Sequence, residues 1–434
     1  MNVVFAFLIL TAFFVTAYRQ LTWVPPTPDA VGPMQALTAG IIDSAGSAVT
    51  LVLGLIGVMT FFLGLMKIVE RGGGLVMLAR LIRPLMVRLF PEVPPDHPAM
   101  GAMIMNFSAN ALGLGNAATP FGIRAIQALD KLNPVKGVAT NSMALFLAIN
   151  TSSIALLPTG VVALRAAMGS TDPAAIMPTT LFATLCSTTA AIFAAKYYQR
   201  FFPVVPLPEN ERPTVVEEQA PDPQTDHPPL TDTSSYPVWA SVIFLVSIMS
   251  LIPMTIMYGS RMSPWIVPVL TVMFLGFGVA RRVPVYEAFI EGGKEGFQIA
   301  MKIIPYLVAI LTAVGMFRAS GAMDYMVSVI GPITSAFGLP GEALPMALLR
   351  PLSGSGAYGI MAGIMETPGI GPDSYVGWLV STMQGSTETT FYVLAVYFGA
   401  VQIKRARHAV AAALTADVVG IAAAVFICSW LYPG

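Results

Sequence analysis

Apolar residues gather along the chain into long runs at 2–18, 49–66, 137–163, 179–197, 238–258, 264–280, 300–317, 375–398 and 409–431, separated by short polar or Gly/Pro-rich segments. Each run is close to the ~20 residues that a helix rising ~1.5 Å per residue needs to cross a ~30 Å hydrocarbon core. The pattern predicts an all-α polytopic membrane protein. Run 2–18 begins without a basic region and no small-residue cleavage signal follows it, so it is read as a retained anchor helix, with a cleaved signal peptide as the alternative. Segment 209–235 breaks the pattern. It is rich in Pro and carries Glu211, Glu217, Glu218, Asp222, Asp226 and Asp232, a composition that buries too little apolar surface to fold. It is expected to be a disordered linker, dividing the chain into 1–205, 206–236 and 237–434.

The two halves repeat each other. Residues 58–84 read VMTFFLGLMKIVERGGGLVMLARLIRP and residues 307–332 read LVAILTAVGMFRASGAMDYMVSVIGP. In both, a spanning helix is followed by a basic residue and Gly, a short amphipathic helix and a Pro. Each half then has a Gly/Ser/Asn-rich interruption (106–115; 353–359) and a long helix broken by polar residues (150–153; 384–390). Agreement in order and spacing marks a duplication. With Met1 inside, the basic residues from Arg71 to Arg88, with Lys131, Lys136, Lys196, Arg200, Arg281, Arg282, Lys294, Lys404, Arg405 and Arg407, fall on the cytoplasmic side. Run 49–66 then crosses inward and its partner 300–317 crosses outward, so the repeats are inverted. Such repeats place substrate and ion sites near the bilayer midplane, on interrupted helices.

Composition narrows the function classes. Residues are 55% hydrophobic and only 11% charged, against roughly 25% charged in soluble domains. Net charge is zero with no basic cluster, which excludes a nucleic-acid footprint. Cys186 and Cys428 lie in apolar runs, and His97, His227 and His408 lack ligand spacing, so neither disulfide nor metal is expected. No nucleotide loop, zinc-protease motif or nucleophile elbow occurs, so no catalytic residue or cofactor is expected.

Three elements carry the candidate chemistry. In MNFSANALGLGNAATP (105–120), Gly and Asn are poor helix formers, and a re-entrant hairpin tip would expose backbone that only protein or a wet cavity can satisfy. Asn106, Ser108, Asn110 and Asn116 would supply donors and acceptors there, the alternative being helix packing on small residues. Residues 113–118 also fit G-x-G-x-x-A, but without the strand a dinucleotide site requires. In LRPLSGSGAYG (349–359), Pro351 breaks the helix and Ser353 and Ser355 offer hydroxyls. Arg350 should face a cavity, a carboxylate or an anionic group, unless it snorkels to the headgroups. In QGSTETT (384–390), Gln384, Ser386, Thr387, Glu388 and Thr389 interrupt a span. A buried Glu388 would be a proton or sodium coupling residue, or else a permanent partner of Arg350. Asn150, Thr151, Ser152 and Ser153 hold the equivalent place in the first half as neutral solute ligands. Asp417, alone in an apolar helix, either pairs with a neighbour or acts. Glu366 and Asp373 are read as solvated loop charges.

At these residues the sequence resembles a known family. NFSANALGLGNAATPFGIRAIQAL (106–129) is similar to the spore maturation protein A family, and RPLSGSGAYGIM (350–361) with QGSTETTFYVLAVYFGAVQIK (384–404) to the spore maturation protein B family. The chain resembles a fusion of the two, within the nucleoside-recognition or Gate superfamily, which includes the membrane region of ferrous-iron transporters and is related to concentrative nucleoside transporters. The GTP-binding domain and membrane-region cysteines of the iron transporters do not occur here. The resemblance implies a transport core built from hairpins and broken helices. The reading is a secondary-transporter-like protein of the bacterial inner membrane, with its N-terminus and linker cytoplasmic. It would move a nucleoside or other small polar solute, with a proton or sodium as coupling ion and a homo-oligomer left open. The alternative is a membrane scaffold or sensor that keeps the fold without transporting.

Overall fold

The computed structural model describes residues 2–25, 27, 30–153, 155–204 and 236–432, so the expected linker and Met1 lie outside the described residues. The first half holds α1 (Asn2–Leu21), α2 (Pro33–Arg71), α3 (Gly74–Leu89), α4 (Pro98–Ala111), α5 (Gly115–Lys131), α6 (Asn141–Ser152), α7 (Thr159–Ala167) and α8 (Met177–Tyr198). The second holds α9 (Val238–Ala280), α10 (Val285–Ala319), α11 (Ala322–Ser335), α12 (Leu344–Leu349), α13 (Gly354–Met365), α14 (Tyr375–Ser386), α15 (Thr390–Ala400) and α16 (Ala409–Leu431). No strand occurs among the described residues. Among the described residues three helices, Pro33–Arg71, Pro173–Tyr198 and Ala409–Leu431, are long and apolar enough to cross a membrane, as is the pair Leu307–Ala319 and Ala322–Ser335, bent by 80°. The expected runs 238–258 and 264–280 are one element, α9. Its two ends are neighbours, because Ser241 Oγ donates to Leu81 O and Arg281 reaches Met77 Sδ, both on α3.

From α2 and from α10 the halves follow the same plan: a long helix, a short amphipathic helix, a hairpin, a broken span and an unbroken span. Corresponding glycines start the short helices. Gly73 before α3 and Gly321 before α11 both adopt left-handed backbone, with φ of 81° and 80°, where an L side chain would be strained.

Contacts between partner helices establish the inversion. Along α2 and α10, Gly40 meets Ala319, Met59 and Thr60 meet Gly296, and Leu63 meets Gly292, so numbers rise on one helix as they fall on the other. Likewise Phe182 of α8 stacks on Phe426 of α16, and Tyr198 hydrogen-bonds Thr415 at 3.1 Å. Partner elements that run antiparallel are what an axis in the membrane plane generates.

The α2–α10 seam is close because small residues let the backbones approach. A Cβ on Gly296 would lie 2.8 Å from Met59 O and 2.9 Å from Thr60 Cα, and backbone cannot swing aside as a side chain can. At this end Lys67 Nζ binds Glu295 Oε1 at 2.9 Å, tying the seam electrostatically. Gly296→Val should force the helices apart and cost at least the 1–3 kcal/mol typical of overpacking. Unfolding midpoints in mild detergent will show it; an unchanged midpoint would mean the seam is looser than described.

The broken spans run between two ends of the molecule. At the first, the loop before α6 meets the loop after α15: Lys404 N donates to Gly137 O at 2.9 Å, Ala139 N to Arg405 O at 3.0 Å, and Arg407 Nη1 to Ala139 O at 2.9 Å. At the other, the end of α7 meets the segment before α14 through Arg165 and Asp373. Thus α6–α7 and α14–α15 traverse the protein in opposite directions.

Candidate functional site

Polar sequence interrupts each broken span halfway, and the interruptions meet. Helix α6 ends at Ser152, Ser153 turns the chain at φ 41°, and α7 resumes at Thr159. Helix α14 ends at Ser386 and α15 resumes at Thr390. Each break leaves helix-end groups without intrahelical partners. One of them finds its partner in the other half. The amide of Glu388 donates to Thr151 O at 2.8 Å, joining the two breaks directly.

Each hairpin tip supports the break of its own half. Leu156 N donates to Ala111 O at 3.0 Å in the first half, and Phe391 N donates to Pro351 O at 3.1 Å in the second. Gly113 at the first tip adopts φ 73°, and a Cβ there would lie 2.9 Å from Leu157 O. Each hairpin also touches the other half's broken span, with a tyrosine on a glycine: Tyr397 of α15 covers Gly122 of α5, and Tyr358 of α13 covers Gly160 of α7. The four elements form one junction.

The candidate residues divide among several roles. Asn110 Nδ2 donates to Asn150 Oδ1 at 3.0 Å, and Asn150 Nδ2 to Phe146 O at 2.9 Å, linking the first hairpin to the first break. Thr151 Oγ1 is turned back on Ala148 O, while Ser152 Oγ donates to Ile149 O and Thr188 Oγ1. Thr184 Oγ1 donates to the carbonyls of Ser152 and Ser153. Ser353 caps α13 by accepting from Gly356 N at 3.0 Å. Ser386 Oγ donates weakly to Met383 O at 3.3 Å. The side chains of Asn116 and Ser355 lie outside the described residues.

Two expectations need correction. Helix α4 continues to Ala111, so the tip is 112–114 and Asn106, Ser108 and Asn110 sit on a helix rather than on freed backbone. Asn106 is fully buried, donating to Ala118 O at 2.8 Å and to Tyr397 Oη at 3.3 Å, because the hairpin arms pack on each other there. Second, the premise of a buried Glu388 fails. Its side chain is 49% exposed, whereas Arg350 beside it is 3% exposed. Arg350 Nη1 donates to Thr389 Oγ1 at 3.0 Å and Nη2 to Thr387 O, with Glu388 Oε2 at 3.8 Å. The guanidinium therefore pins the backbone of the break, and the carboxylate lies beside it on the exposed side.

Buried polar atoms without a partner among the described residues include Gln384 Oε1, Thr180 Oγ1 and Arg350 Nε at the second break, Asn106 Oδ1 and Ser108 Oγ on α4, and Asp417 Oδ1 on α16. Thr180 packs against Gly385, and Tyr358 lies beside Gln384, which places these groups at the second break. Sequence reasoning missed Thr180 and Tyr358, since a lone Thr or Tyr in an apolar helix looks like packing. Buried polar groups in native proteins almost always find partners, so Gln384 Oε1 and Thr180 Oγ1 are open to a polar ligand. Asp417 Oδ2 accepts from Thr390 Oγ1 at 2.6 Å.

Asp373 is an exposed residue of the connection before α14, as expected, but it is paired rather than free in solvent. It accepts from Arg165 Nη2 at 2.9 Å, Ser170 Oγ at 2.5 Å and Thr171 N at 2.7 Å. Burial pushes its carboxyl up, but those hydrogen bonds and the Arg165 charge outweigh burial and hold it below its ordinary 3.8. A cavity of about 290 Å³ lined by Glu92, Asn133, Asn141 and Ser142 lies at the opposite, Arg407-bearing end, away from the junction. No cluster of three or more His, Cys, Asp or Glu suited to a metal occurs among the described residues.

The chain is similar to known proteins. Spore maturation protein B of Bacillus subtilis is 47% identical over 166 residues, 38% of this chain and 92% of that protein. Spore maturation protein A of the same organism is 46% identical over 167 residues, 38% of this chain and 85% of that protein. A solved structure of CNTnw in an inward-facing substrate-bound state covers 98% of this chain and 91% of its own at 13% identity, with a TM-score of 0.44. The family described as Gate, nucleoside recognition, matches residues 52–168 and 300–404, over half the sequence and both halves of the junction. This membrane protein belongs to the Gate nucleoside-recognition family.

Proposed function

We propose that the chain is a secondary-transporter-like protein that binds a small polar solute, nucleoside-like as the leading class, at the junction of its inverted repeats and moves it across the bacterial inner membrane. The observation that carries this reading is the Glu388 N to Thr151 O hydrogen bond, which sets two helix breaks face to face midway between the ends of the broken spans. Unwound backbone at membrane depth is tolerated where it lines a polar site. Gln384, Thr180 and Tyr358 supply neutral hydrogen-bonding groups, and the exposed Glu388 carboxylate is an acceptor for the hydroxyl or amine hydrogens of a polyfunctional solute. Lys136, Lys404, Arg405 and Arg407 gather at one end of the molecule, and the positive-inside bias makes that end cytoplasmic.

A scaffold or sensor role is the second reading, favoured by the fact that both terminal nitrogens of Arg350 donate within the protein. Purified protein in lipid nanodiscs, screened with nucleosides, bases and amino acids, separates the two. Under the transport reading a saturating solute at ~100 times Kd stabilises the fold by about 2.7 kcal/mol, and the same solute accumulates in proteoliposomes. Binding without uptake supports a sensor, and neither result leaves transport standing.

A further inference from the structure

Asp417 stands in the middle of α16, a helix apolar enough to span, and is 3% exposed. Its neighbours Ala413, Ala416 and Gly420 are small, and Thr387 of the second break packs on Gly420. One carboxyl oxygen, Oδ2, accepts from Thr390 Oγ1 at 2.6 Å; the other, Oδ1, has no donor among the described residues. The helices packed against α16 bring it no counter-charge. Helix α6 carries no titratable residue, α14 only Tyr375, and α15 only Tyr392 and Tyr397. Helix α8 carries Cys186, Tyr197, Tyr198 and Lys196; Ser187 Oγ donates to Ala416 O beside Asp417, while Lys196, ~2 turns further along and next to the Tyr198 that bonds Thr415, is exposed. The cation whose field reaches Asp417 is Arg350, and its guanidinium is engaged with Thr387 O, Thr389 Oγ1 and Glu388.

An ionised Asp417 in this setting would be a buried charge with a single hydroxyl donor, an arrangement proteins avoid by keeping the group neutral. Its hydrogen-bond donor among the described residues, Thr390, is the first residue of α15, so the carboxyl is fastened to the joint that must flex if the broken span moves. We propose that Asp417 is a proton-binding site of this junction, protonated while Thr387 and Thr389 are seated on Arg350. When the joint opens, the proton leaves Oδ1 to water entering there, and the carboxylate left behind pairs with the freed Arg350. Proton release and joint opening are thereby linked. The linkage to solute movement rests on the transport reading above; the protonated carboxyl does not.

Infrared difference spectroscopy of the full chain in lipid nanodiscs across pH tests the site itself. A carboxylic-acid carbonyl band should be present, absent in Asp417→Asn, and retained in Glu388→Gln. In Thr390→Val the band should move to higher frequency, because the carbonyl loses a hydrogen bond; this variant decides the matter if Asp417→Asn fails to fold. The proposal is overturned by a band that neither Asp417→Asn nor Thr390→Val alters, by no acid band wherever the protein is folded, or by sodium removing the band at fixed pH, which would mark a metal-cation site. In proteoliposomes, a pH gradient should drive wild-type uptake, and Asp417→Asn should lose that dependence while still exchanging solute at equal pH. Gradient-independent wild-type uptake overturns the coupling. If no solute moves but the band behaves as stated, the proton site stands and the transport reading fails.

Discussion

Arg350→Gln should lower the stability of the purified protein by roughly 2–4 kcal/mol and abolish solute uptake, whereas Glu388→Gln should cost no more than about 1 kcal/mol and abolish uptake alone. The asymmetry comes from burial. Arg350 is 3% exposed, and its loss strands Thr387 O and the Thr389 hydroxyl, the groups that hold α15 against the second hairpin. An unsatisfied buried acceptor costs about 1–3 kcal/mol. Glu388 is 49% exposed and 3.8 Å from the guanidinium, so solvent screens the pair and its removal leaves Arg350 with two neutral acceptors. Chemical unfolding of both single mutants and the double mutant measures the coupling. If Glu388→Gln costs as much as Arg350→Gln, the carboxylate is a structural counter-ion and not a solute ligand. If Glu388→Gln is stable and transports normally, Glu388 has no place in the solute site.

The plan of the fold was legible because its signals are local. Polar residues at 150–153 and 384–390 cannot face lipid in a regular helix, and each span breaks at its segment, after Ser152 and at 387–389. The basic residues predicted opposite directions for the repeats, and the α2–α10 and α8–α16 contacts run antiparallel. What stayed hidden depends on partners far apart in sequence. Arg165 and Asp373 are separated by 208 positions, and each alone reads as an interfacial charge. Asp417 resembled an isolated oddity because its partner Thr390 belongs to another helix. Glu388, the one acid in a polar run, invited the assumption of burial, but the turn at 387–389 directs its backbone rather than its carboxylate to the interior. The tip of the first hairpin was placed too early because Asn106, Ser108 and Asn110 are weak helix formers that tertiary packing keeps helical.

The clasp at the far end of the broken spans should behave as a buried charge rather than as a surface ion pair. The Arg165 side chain is 0% exposed; it donates to Asp373, Ser170 and Ser381, and lies 4.5 Å over the Trp378 ring, which in turn stacks on Tyr432 at 4.0 Å. Asp373→Ala removes the only carboxylate bonded to this guanidinium among the described residues. Breaking a fully buried pair costs roughly 3–5 kcal/mol. Because Asp373 is 34% exposed and other acceptors remain, the expected loss is about 2–3 kcal/mol. Arg165→Met should cost less, since Asp373 keeps Ser170, Thr171 and water, and adding it to Asp373→Ala should recover much of the loss. The pH dependence has a fixed sign. A carboxyl held below its ordinary 3.8 in the fold contributes its full stability above that pH and loses it as the pH falls through the folded value. Acid unfolding should therefore begin at higher pH in Ser170→Ala/Thr171→Val, which lack two of the side-chain donors to Asp373, and the part of the acid loss due to Asp373 should vanish in Asp373→Ala. Equal stability of Asp373→Ala and the wild type at neutral pH would show that the neutral acceptors alone satisfy Arg165, and that the clasp does not hold the two broken spans together.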